Sequence, residues 1–294
     1  MSYPIFIDPL SDFGFKRLFG TEANKDLLLS FINSVLGKEK TIKEIHFANV
    51  EKVGDTEELG TIIFDLLCRT DKNEQIIIEV QRNNAINLKK RILYYGSKLI
   101  ADQGIKGNRK KWNYEINDVL IIVLTDGIKL ENNSSQATYL RRIYLCDESS
   151  GNIFQNEIQF IYIELIKFTK QYTDLQEELD YWLYLLKHIN RLEEYPTFLE
   201  TSMFHRQFEV LKYSKLNKEE KEMFNTKLKN IWDTNIVKEF ERLEGRKEGR
   251  KEGRKEGSKE TKTTIAKKLK KLEVTPEVIS EATGLTLKEI EELK

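Results

Sequence analysis

The stretch FDLLCRTDKNEQIIIEVQ, residues 64–81, decides the fold of this chain. Two apolar runs enclose the polar residues TDKNE, and this pattern predicts a β-hairpin. Each run carries one carboxylate among apolar residues, Asp65 in the first and Glu79 in the second. If the turn pairs Thr70 with Glu74, the register of the hairpin places Asp65 directly opposite Glu79.

Two carboxylates that face each other on neighbouring strands lie about 5 Å apart at Cβ and repel. Burial adds a desolvation cost to each charge. One acid can be protonated, Arg or Lys side chains can lie between the two, or a divalent cation can bind both. Mg²⁺ prefers oxygen ligands and keeps several waters, so Asp65, Glu79 and the carbonyl of Val80 would suit it. Such a metal serves phosphodiester hydrolysis. The alternative is that both acids lie on an edge strand and face solvent.

The rest of the first half alternates between helical and strand-like patterns. Apolar residues at three- and four-residue spacing predict helices over 21–37 and 87–102. Apolar runs predict further strands over 41–50, 117–127, 138–147 and 158–165. This order predicts an α/β core, a mixed sheet flanked by helices, that ends near residue 170.

The composition changes after this core. Residues 171–244 have the pattern of charge-rich helices, and residues 245–262 form a four-residue repeat with glycine in every unit. Each glycine costs a helix about 1 kcal/mol relative to alanine, so we interpret the repeat as a solvated, semi-helical linker. Two alternatives stay open: a helix whose glycines let a partner helix approach, and an arm that binds phosphates.

The last segment, 263–294, predicts three short helices that resemble a helix-turn-helix. A helix that lies in the major groove should not be acidic, yet the last of the three carries Glu289, Glu291 and Glu292. We therefore favour a small packing or oligomerisation unit over a module that reads DNA. The C-terminal helices are the candidate for contacts within a homo-oligomer.

Length and composition exclude several classes of protein. The chain has 294 residues and 39% hydrophobic residues, enough for a buried core. The longest apolar run falls far short of the ~20 residues of a membrane span, and the N-terminus lacks a secretory pattern. Cys68 and Cys146 lie in strand-like runs and are expected to be buried, reduced thiols, which fits a cytoplasmic protein. His46, His188 and His205 lie far apart, which excludes zinc sites and histidine-based triads.

The net charge is zero, but the basic residues are concentrated after the hairpin. Residues 83–113 contain a single acid, Asp102, and eight basic residues: Lys89, Lys90, Arg91, Lys98, Lys106, Arg109, Lys110 and Lys111. Such a field favours a polyanion, because neutralising phosphates supplies most of a sequence-independent affinity. We predict that Lys89, Lys90, Arg91, Arg109, Lys110 and Lys111 bind DNA. The alternative is a solvated helix face without a ligand.

Several motifs occur in a fixed order: DPLSDFGFKRLFG at 8–20, IIIEVQ at 76–81, RILYYGSKLI at 91–100 and NDVLIIVL at 117–124. Together with FD 14 residues ahead of EVQ, this set resembles the PD-(D/E)XK nuclease superfamily. More narrowly, it is similar to the Rpn family of recombination-promoting nucleases, also described as PD-(D/E)XK transposases. The resemblance covers roughly residues 5–170, and the glycine repeat with its small helical tail is also typical of that family.

The resemblance implies a restriction-endonuclease-like core and assigns roles to single residues. Asp65 and Glu79 would be the metal ligands, and Gln81 would occupy the position of the motif lysine. Asp12 and Lys16 match an N-terminal pattern that places polar groups beside the metal. Asp12 is therefore expected near the cation as a further ligand, and Lys16 among the catalytic residues.

Gln81 departs from the motif, because a glutamine cannot supply the positive charge that a lysine gives to the reacting phosphate. We hypothesise that Lys16, or Lys90 and Arg91 on the next helix, supplies this charge. The alternative is that Gln81 is a catalytically inert replacement that only makes a hydrogen bond.

Residues and resemblance together predict a cytoplasmic DNA endonuclease of low sequence specificity that hydrolyses phosphodiester bonds. The expected cofactor is Mg²⁺, with Mn²⁺ as a substitute, and the expected partner is DNA and not a membrane. The expected setting is recombination, mobile-element activity or defence. The alternative is a catalytically silent DNA-binding or assembly protein that kept a nuclease scaffold and lost turnover at Gln81.

Overall fold

The computed structural model describes residues 4–52, 62–82, 87–104, 113–128, 130, 138–194, 196 and 202–293. The chain forms two compact units, Met1–Lys218 and Glu219–Lys294. The first unit carries the sheet and the opposed acids, and the second is built on one long helix.

The first unit begins with helices α1 (Asp12–Phe19) and α2 (Lys25–Leu36), followed by short strands β1 (Ile45–Phe47), β2 (Glu51–Lys52) and β3 (Ile62–Ile63). The hairpin consists of β4 (Leu66–Thr70) and β5 (Gln75–Arg82), and helix α3 (Leu88–Ala101) comes next. The remaining elements are β6 (Val119–Asp126), β7 (Leu140–Cys146), β8 (Ile153–Glu164), α4 (Glu178–His188) and α5 (Ser202–Leu211).

Six strands form one mixed sheet in the order β1-β4-β5-β6-β8-β7. Strands β5, β6 and β8 are parallel, whereas β1, β4 and β7 each run antiparallel to their neighbour. Ile77, Ile121 and Ile161 on the three parallel strands have no exposed surface, as expected for strands covered on both faces. The predicted α/β fold with a mixed sheet is confirmed.

The hairpin has the predicted register. The Thr70 N–H donates a 3.0 Å hydrogen bond to the carbonyl of Glu74, and Leu66 pairs with Ile78. Since Asp65 directly precedes Leu66 and Glu79 directly follows Ile78, the two acids lie opposite each other at the open end of the hairpin.

Helix α3 packs closely on the sheet. Ile92 and Leu99 are fully buried against it. A Cβ atom at Gly96 would lie 2.6 Å from Cδ1 of Ile121 and 2.8 Å from Cδ1 of Ile158, so a larger residue would require these two side chains to shift. The close packing fixes the first turn of α3, which carries Arg91, relative to the sheet.

Aromatic side chains join the N-terminal helices to α4 and α5. Trp182 of α4 packs against Phe19 and Phe31, with ring centroids 5.5 and 5.6 Å apart, and Phe208 of α5 packs against Phe6 at 5.3 Å. The first unit therefore extends to Lys218, past the boundary expected near residue 170. Composition placed the boundary too early because it registers the charged outer faces of α4 and α5 and not their buried aromatic residues.

Three local expectations need correction. The strand expected over 41–50 is limited to Ile45–Phe47. The helix expected over 21–37 opens with a 3-10 turn, and α2 begins at Lys25. Both cysteines are free, but only Cys68 is buried, where burial raises the pKa of its thiol to about 12. Cys146 is exposed because β7 is an edge strand.

The second unit consists of α6 (Lys218–Lys271, 54 residues), α7 (Pro276–Thr283) and α8 (Leu287–Glu291). The repeat 245–262 lies within α6, and the first of the three expected tail helices is the end of that helix. Ala266, Ile279, Leu285 and Ile290 form a small core where α7 and α8 fold back on α6. Among the described helices, none combines the length and the apolar surface needed to cross a membrane.

Candidate active site

The site is built at the open end of the β4–β5 hairpin. Glu79 lies within β5 and is only 5% exposed, and Asp65 is half-buried directly before β4. A solvent-facing pair on an edge strand, the alternative reading, does not fit, because β5 lies inside the sheet between β4 and β6.

Hydrogen bonds hold both carboxylates in place. Oδ2 of Asp65 accepts a 2.8 Å hydrogen bond from the Val80 N–H. Oε1 of Glu79 accepts one of 3.2 Å from the Asp65 N–H. Each acid is thus fixed by the backbone of the opposite strand. Within the described part of the chain, the other oxygen of each carboxylate accepts no hydrogen bond.

The environment of the two acids disfavours their charged forms. Burial, together with the charge of Asp65, raises the pKa of Glu79 to about 8, against the opposing effects of the Asp65 N–H and of Arg91. Burial also raises the pKa of Asp65, although the hydrogen bond from Val80 opposes it. At neutral pH the pair therefore needs either a proton or a cation to offset its repulsion.

Arg91 brings a positive charge to this site. Its Nη2 donates a 2.6 Å hydrogen bond to Oε1 of Gln81, and Nε2 of Gln81 donates to the carbonyl of Arg82. Among the described residues, the Nε of Arg91 is buried without a hydrogen-bond partner. The charge of Arg91 opposes the rise in the pKa of both Asp65 and Glu79.

Helix α1 adds a second pair of charges. Nζ of Lys16 lies 2.7 Å from Oδ1 of Asp12, and both side chains are about half exposed. Asp12 raises the pKa of Asp65 and Lys16 lowers it. The N-terminal motif therefore reaches the site, and it does so as an ion pair.

The described residues contain no group of three or more His, Cys, Asp and Glu side chains arranged to hold a metal ion. Asp12 consequently does not complete a three-carboxylate cluster with Asp65 and Glu79. Among the described residues, the oxygens of the two opposed acids and of the backbone beside them could hold a cation.

A family model described as PD-(D/E)XK nuclease family transposase matches residues 9–241. The chain belongs to this family. Neither a curated protein nor a solved structure matches it. Membership supports a nuclease-like function, and PD-(D/E)XK nucleases typically use divalent metal ions.

In this PD-(D/E)XK protein the predicted DNA-binding residues have different positions. Lys89 and Lys90 are exposed on the outer face of α3. Arg91, on the same helix, is half-buried and directed towards Gln81. Arg109, Lys110 and Lys111 lie outside the described residues.

Sequence reasoning missed a network that ties the N-terminal motif to the sheet. Arg82 at the end of β5 lies 2.6 Å from Oδ2 of Asp8 through Nη1 and 3.3 Å from Oδ2 of Asp126 through Nε. Asp8 opens the motif DPLSDFGFK, and Arg82 directly follows EVQ. The opposite charges of Asp8 and Arg82, at the ends of two motifs, were the signal in the sequence that could have predicted this contact.

Gly14 is a second residue that the sequence reading passed over. A Cβ atom there would overlap the carbonyl oxygen of Asp8, because the backbone folds back on itself where α1 begins. The Oγ of Ser11 caps this turn by accepting a hydrogen bond from the Gly14 N–H. Only glycine at this position lets α1 start where it presents Asp12 and Lys16 to the site.

Proposed function

We propose that this protein is a metal-dependent endonuclease that hydrolyses DNA phosphodiester bonds with low sequence specificity. The observation that carries the proposal is the opposed pair Asp65 and Glu79, two fixed acids whose pKa values are both raised. Burial of like charges is costly for the fold, so a function that needs them is the best reason for their presence. Family membership supports the nuclease class.

The residues present fit a hard divalent cation. Asp65 and Glu79 each keep one carboxylate oxygen without a hydrogen bond from the described residues. Val80 donates its N–H towards Asp65. Because the N–H and C=O of one residue point to the same side of a strand, its carbonyl is directed to that side too. We propose Asp65, Glu79 and the Val80 carbonyl as ligands of Mg²⁺, with Mn²⁺ as a substitute and water in the remaining positions.

A bound divalent cation would act as a Lewis acid that neutralises phosphate charge and promotes the ionisation of water. The role of Asp65 and Glu79 is to fix its position through backbone-anchored carboxylates. Glu79 must lose its proton to do so, which couples metal binding to pH. Asp12 contributes negative charge nearby while it orients Lys16.

Arg91 is the residue that best replaces the missing motif lysine. Its guanidinium is held by Gln81 and acts on both acids. A fixed positive charge here would stabilise the negative charge that develops on the phosphate in the transition state. Lys16 is half exposed and ion-paired, and Lys90 is exposed, so their charges are screened by water. In this proposal Gln81 positions Arg91, and Lys16 acts as an auxiliary cation.

The surface beside the site suits a polyanion. Lys89 and Lys90 are exposed on α3, and we propose that they bind DNA phosphates together with Arg109, Lys110 and Lys111. Phosphate contacts position a protein on DNA without reading its sequence, in keeping with low specificity. We propose recombination, mobile-element activity or defence in the cytoplasm as the setting.

Cleavage of supercoiled plasmid DNA with Mg²⁺ or Mn²⁺ tests the proposal. We expect Asp65→Asn and Glu79→Gln to reduce the rate at least about 100-fold, the order seen when one electrostatic group of an active site is removed. Asp71→Asn is the matched control, because Asp71 is an exposed acid in the turn of the same hairpin. Equal cutting by all these proteins would discard the site.

A second candidate is a catalytically silent protein that binds DNA or assembles on a nuclease scaffold. The observation that favours it is Gln81, which has no charge and whose side chain is engaged at both ends, by Arg91 and by the Arg82 carbonyl. Gln81→Lys separates the two candidates. A dormant site would gain cleavage from the lysine, whereas a site adapted to glutamine would lose activity because the introduced ammonium group would repel Arg91.

A further inference from the structure

All eight Lys and Arg residues between 245 and 262 line one groove of the second unit, and none of the four glutamates of that segment does. The groove has a volume of about 1140 Å³. Its opposite wall is formed by Gly284, Leu285 and Glu289 at and beyond the end of α7. We call this the basic groove.

The length of the repeat explains this separation of charge. An α-helix has 3.6 residues per turn, so each four-residue unit turns about 40° past a full rotation. Arg and Lys are adjacent in the first three units, and Lys259 follows Ser258 in the fourth, so the cations form a slowly winding stripe along α6. Glutamate follows one residue later on the opposite side, at Glu248, Glu252 and Glu256. All of these side chains are exposed.

We propose that the basic groove binds the phosphate backbone of double-stranded DNA. From Arg246 to Lys262 the helix rises about 24 Å at 1.5 Å per residue. One DNA strand places a phosphate every 3.4 Å along the axis, about seven over that length. The eight cations are close to this number, and the spacing of one repeat, about 6 Å, is close to that of every second phosphate.

A second copy of the chain fits the groove less well. The glutamate side of α6 offers four acids between 245 and 262 for the eight cations of a partner's groove. Among the described residues that line the groove, Glu289 is the one acid. Its carboxylate accepts hydrogen bonds from the N–H and Oγ1 of Thr286 at the start of α8, and the described lining otherwise presents mainly flexible cations. Binding along this surface is therefore independent of sequence.

The choice of DNA among polyanions rests on the proposed function. Binding itself requires neither Asp65 nor Glu79, so it can be measured on the full chain carrying Asp65→Asn, in EDTA, without cleavage. A failure of the nuclease proposal and a failure of the groove proposal are then distinguishable.

The test is the salt dependence of binding to a fluorescein-labelled duplex of about 30 base pairs, followed by fluorescence anisotropy. The groove variant carries Arg246→Gln, Arg250→Gln and Arg254→Gln. Each neutralised phosphate contributes about 0.9 to the slope of log affinity against log salt, so we expect the slope to fall by about 2.7. Binding at about 0.1 M salt should weaken by up to roughly 500-fold.

The matched control carries Glu248→Gln, Glu252→Gln and Glu256→Gln, which change the net charge by the same amount in the opposite direction and lie on the other side of the helix. We expect its slope to stay within about 0.5 of the starting value. An unchanged slope in the groove variant overturns the proposal. Equal and opposite changes in the two variants overturn it as well, since net charge alone would then explain binding.

Two further measurements keep the outcome clear. Circular dichroism checks that both variants keep their helix content, and Lys247→Gln, Lys251→Gln and Lys255→Gln provide a second groove variant if the first unfolds. Light scattering gives the mass in solution. A mass that falls in the groove variant while the DNA slope stays unchanged assigns the groove to a second copy and overturns the proposal.

Discussion

The guanidinium of Arg91 lies 2.6 Å from the side-chain oxygen of Gln81. In the proposed active site Gln81 occupies the position of the motif lysine. The contact with Arg91 would then supply, from the next helix, the positive charge that the glutamine lacks.

Arg91→Gln removes the charge but keeps a polar side chain, and we expect the cleavage rate to fall roughly 100-fold or more because transition-state charge loses its counterion. The effect should appear in kcat with KM little changed. Lys90→Gln, the neighbouring cation on the exposed face, should mainly raise KM. Adding Gln81→Lys to the Arg91 variant should restore part of the rate. A rate equal to that of the unmodified protein would exclude Arg91 from catalysis.

Metal binding should stabilise the protein through Asp65 and Glu79. A ligand present at about 100 times its Kd stabilises the folded state by about 2.7 kcal/mol, which is measurable as a rise in Tm with Mg²⁺ or Mn²⁺ and its reversal by EDTA. Asp65→Asn should abolish the rise, and Asp71→Asn should keep it. Isothermal calorimetry that shows equal metal uptake by both variants would rule out the assigned ligands.

Glu79→Gln should stabilise the metal-free protein in a pH-dependent way. The pKa of Glu79 is raised from 4.5 to about 8 in the folded state, so the folded protein holds this proton more tightly than the unfolded chain. Stability therefore falls as the pH rises between these values. The glutamine avoids this cost, so the gain in stability should approach about 5 kcal/mol at about pH 9 and should be small below about pH 4.5.

Urea unfolding in EDTA at several pH values measures this difference. Glu74→Gln in the turn of the hairpin is the comparison, although Glu74 also pairs with Lys40 at 2.6 Å and its loss should lower stability. A gain from Glu79→Gln that is the same at about pH 5 and pH 9 would contradict the assignment of the raised pKa.

Two glycines in helices should respond in opposite directions to alanine. At Gly14 a Cβ atom would overlap the Asp8 carbonyl, so Gly14→Ala should lower the free energy of unfolding by several kcal/mol and reduce cleavage. At Gly249 nothing lies within 4 Å, and Gly249→Ala should favour helix by up to about 1 kcal/mol. Denaturant unfolding and circular dichroism measure the two effects.

The sequence predicts the centre of the sheet well because local signals agree there. The turn residues and the two apolar runs define the register of the hairpin, and the register alone places Asp65 opposite Glu79. The uninterrupted apolar run of β6 likewise predicts a strand buried on both faces. In these segments the apolar residues are compatible only with a buried strand, so the local pattern is sufficient to predict the structure.

The sequence alone could not decide whether Lys16, Lys90 or Arg91 is the best candidate for the cation that replaces the motif lysine. All three carry the same charge, and the outcome depends on how closely α3 approaches the sheet at Gly96. A tertiary distance of this kind leaves no trace in local composition. The half-buried position of Arg91 beside Gln81 follows from that packing.

The helical state of the repeat depends on the segments that flank it. Four glycines make an isolated helix marginal, yet residues 245–262 lie inside one helix of 54 residues. Helix formation is cooperative, and the costly step is nucleation. Flanking segments that are already helical spare the repeat that step, and a reading of the repeat by itself could not include this.

The four-residue period of α6 also has an evolutionary consequence. One unit is encoded by twelve nucleotides, so slippage during replication can add or remove a unit without a frameshift. Each such event lengthens or shortens the helix by about 6 Å and changes the charge of the stripe by two cations, while the rotation of about 40° leaves it continuous. Repeat number can therefore tune the reach and strength of this surface in small steps.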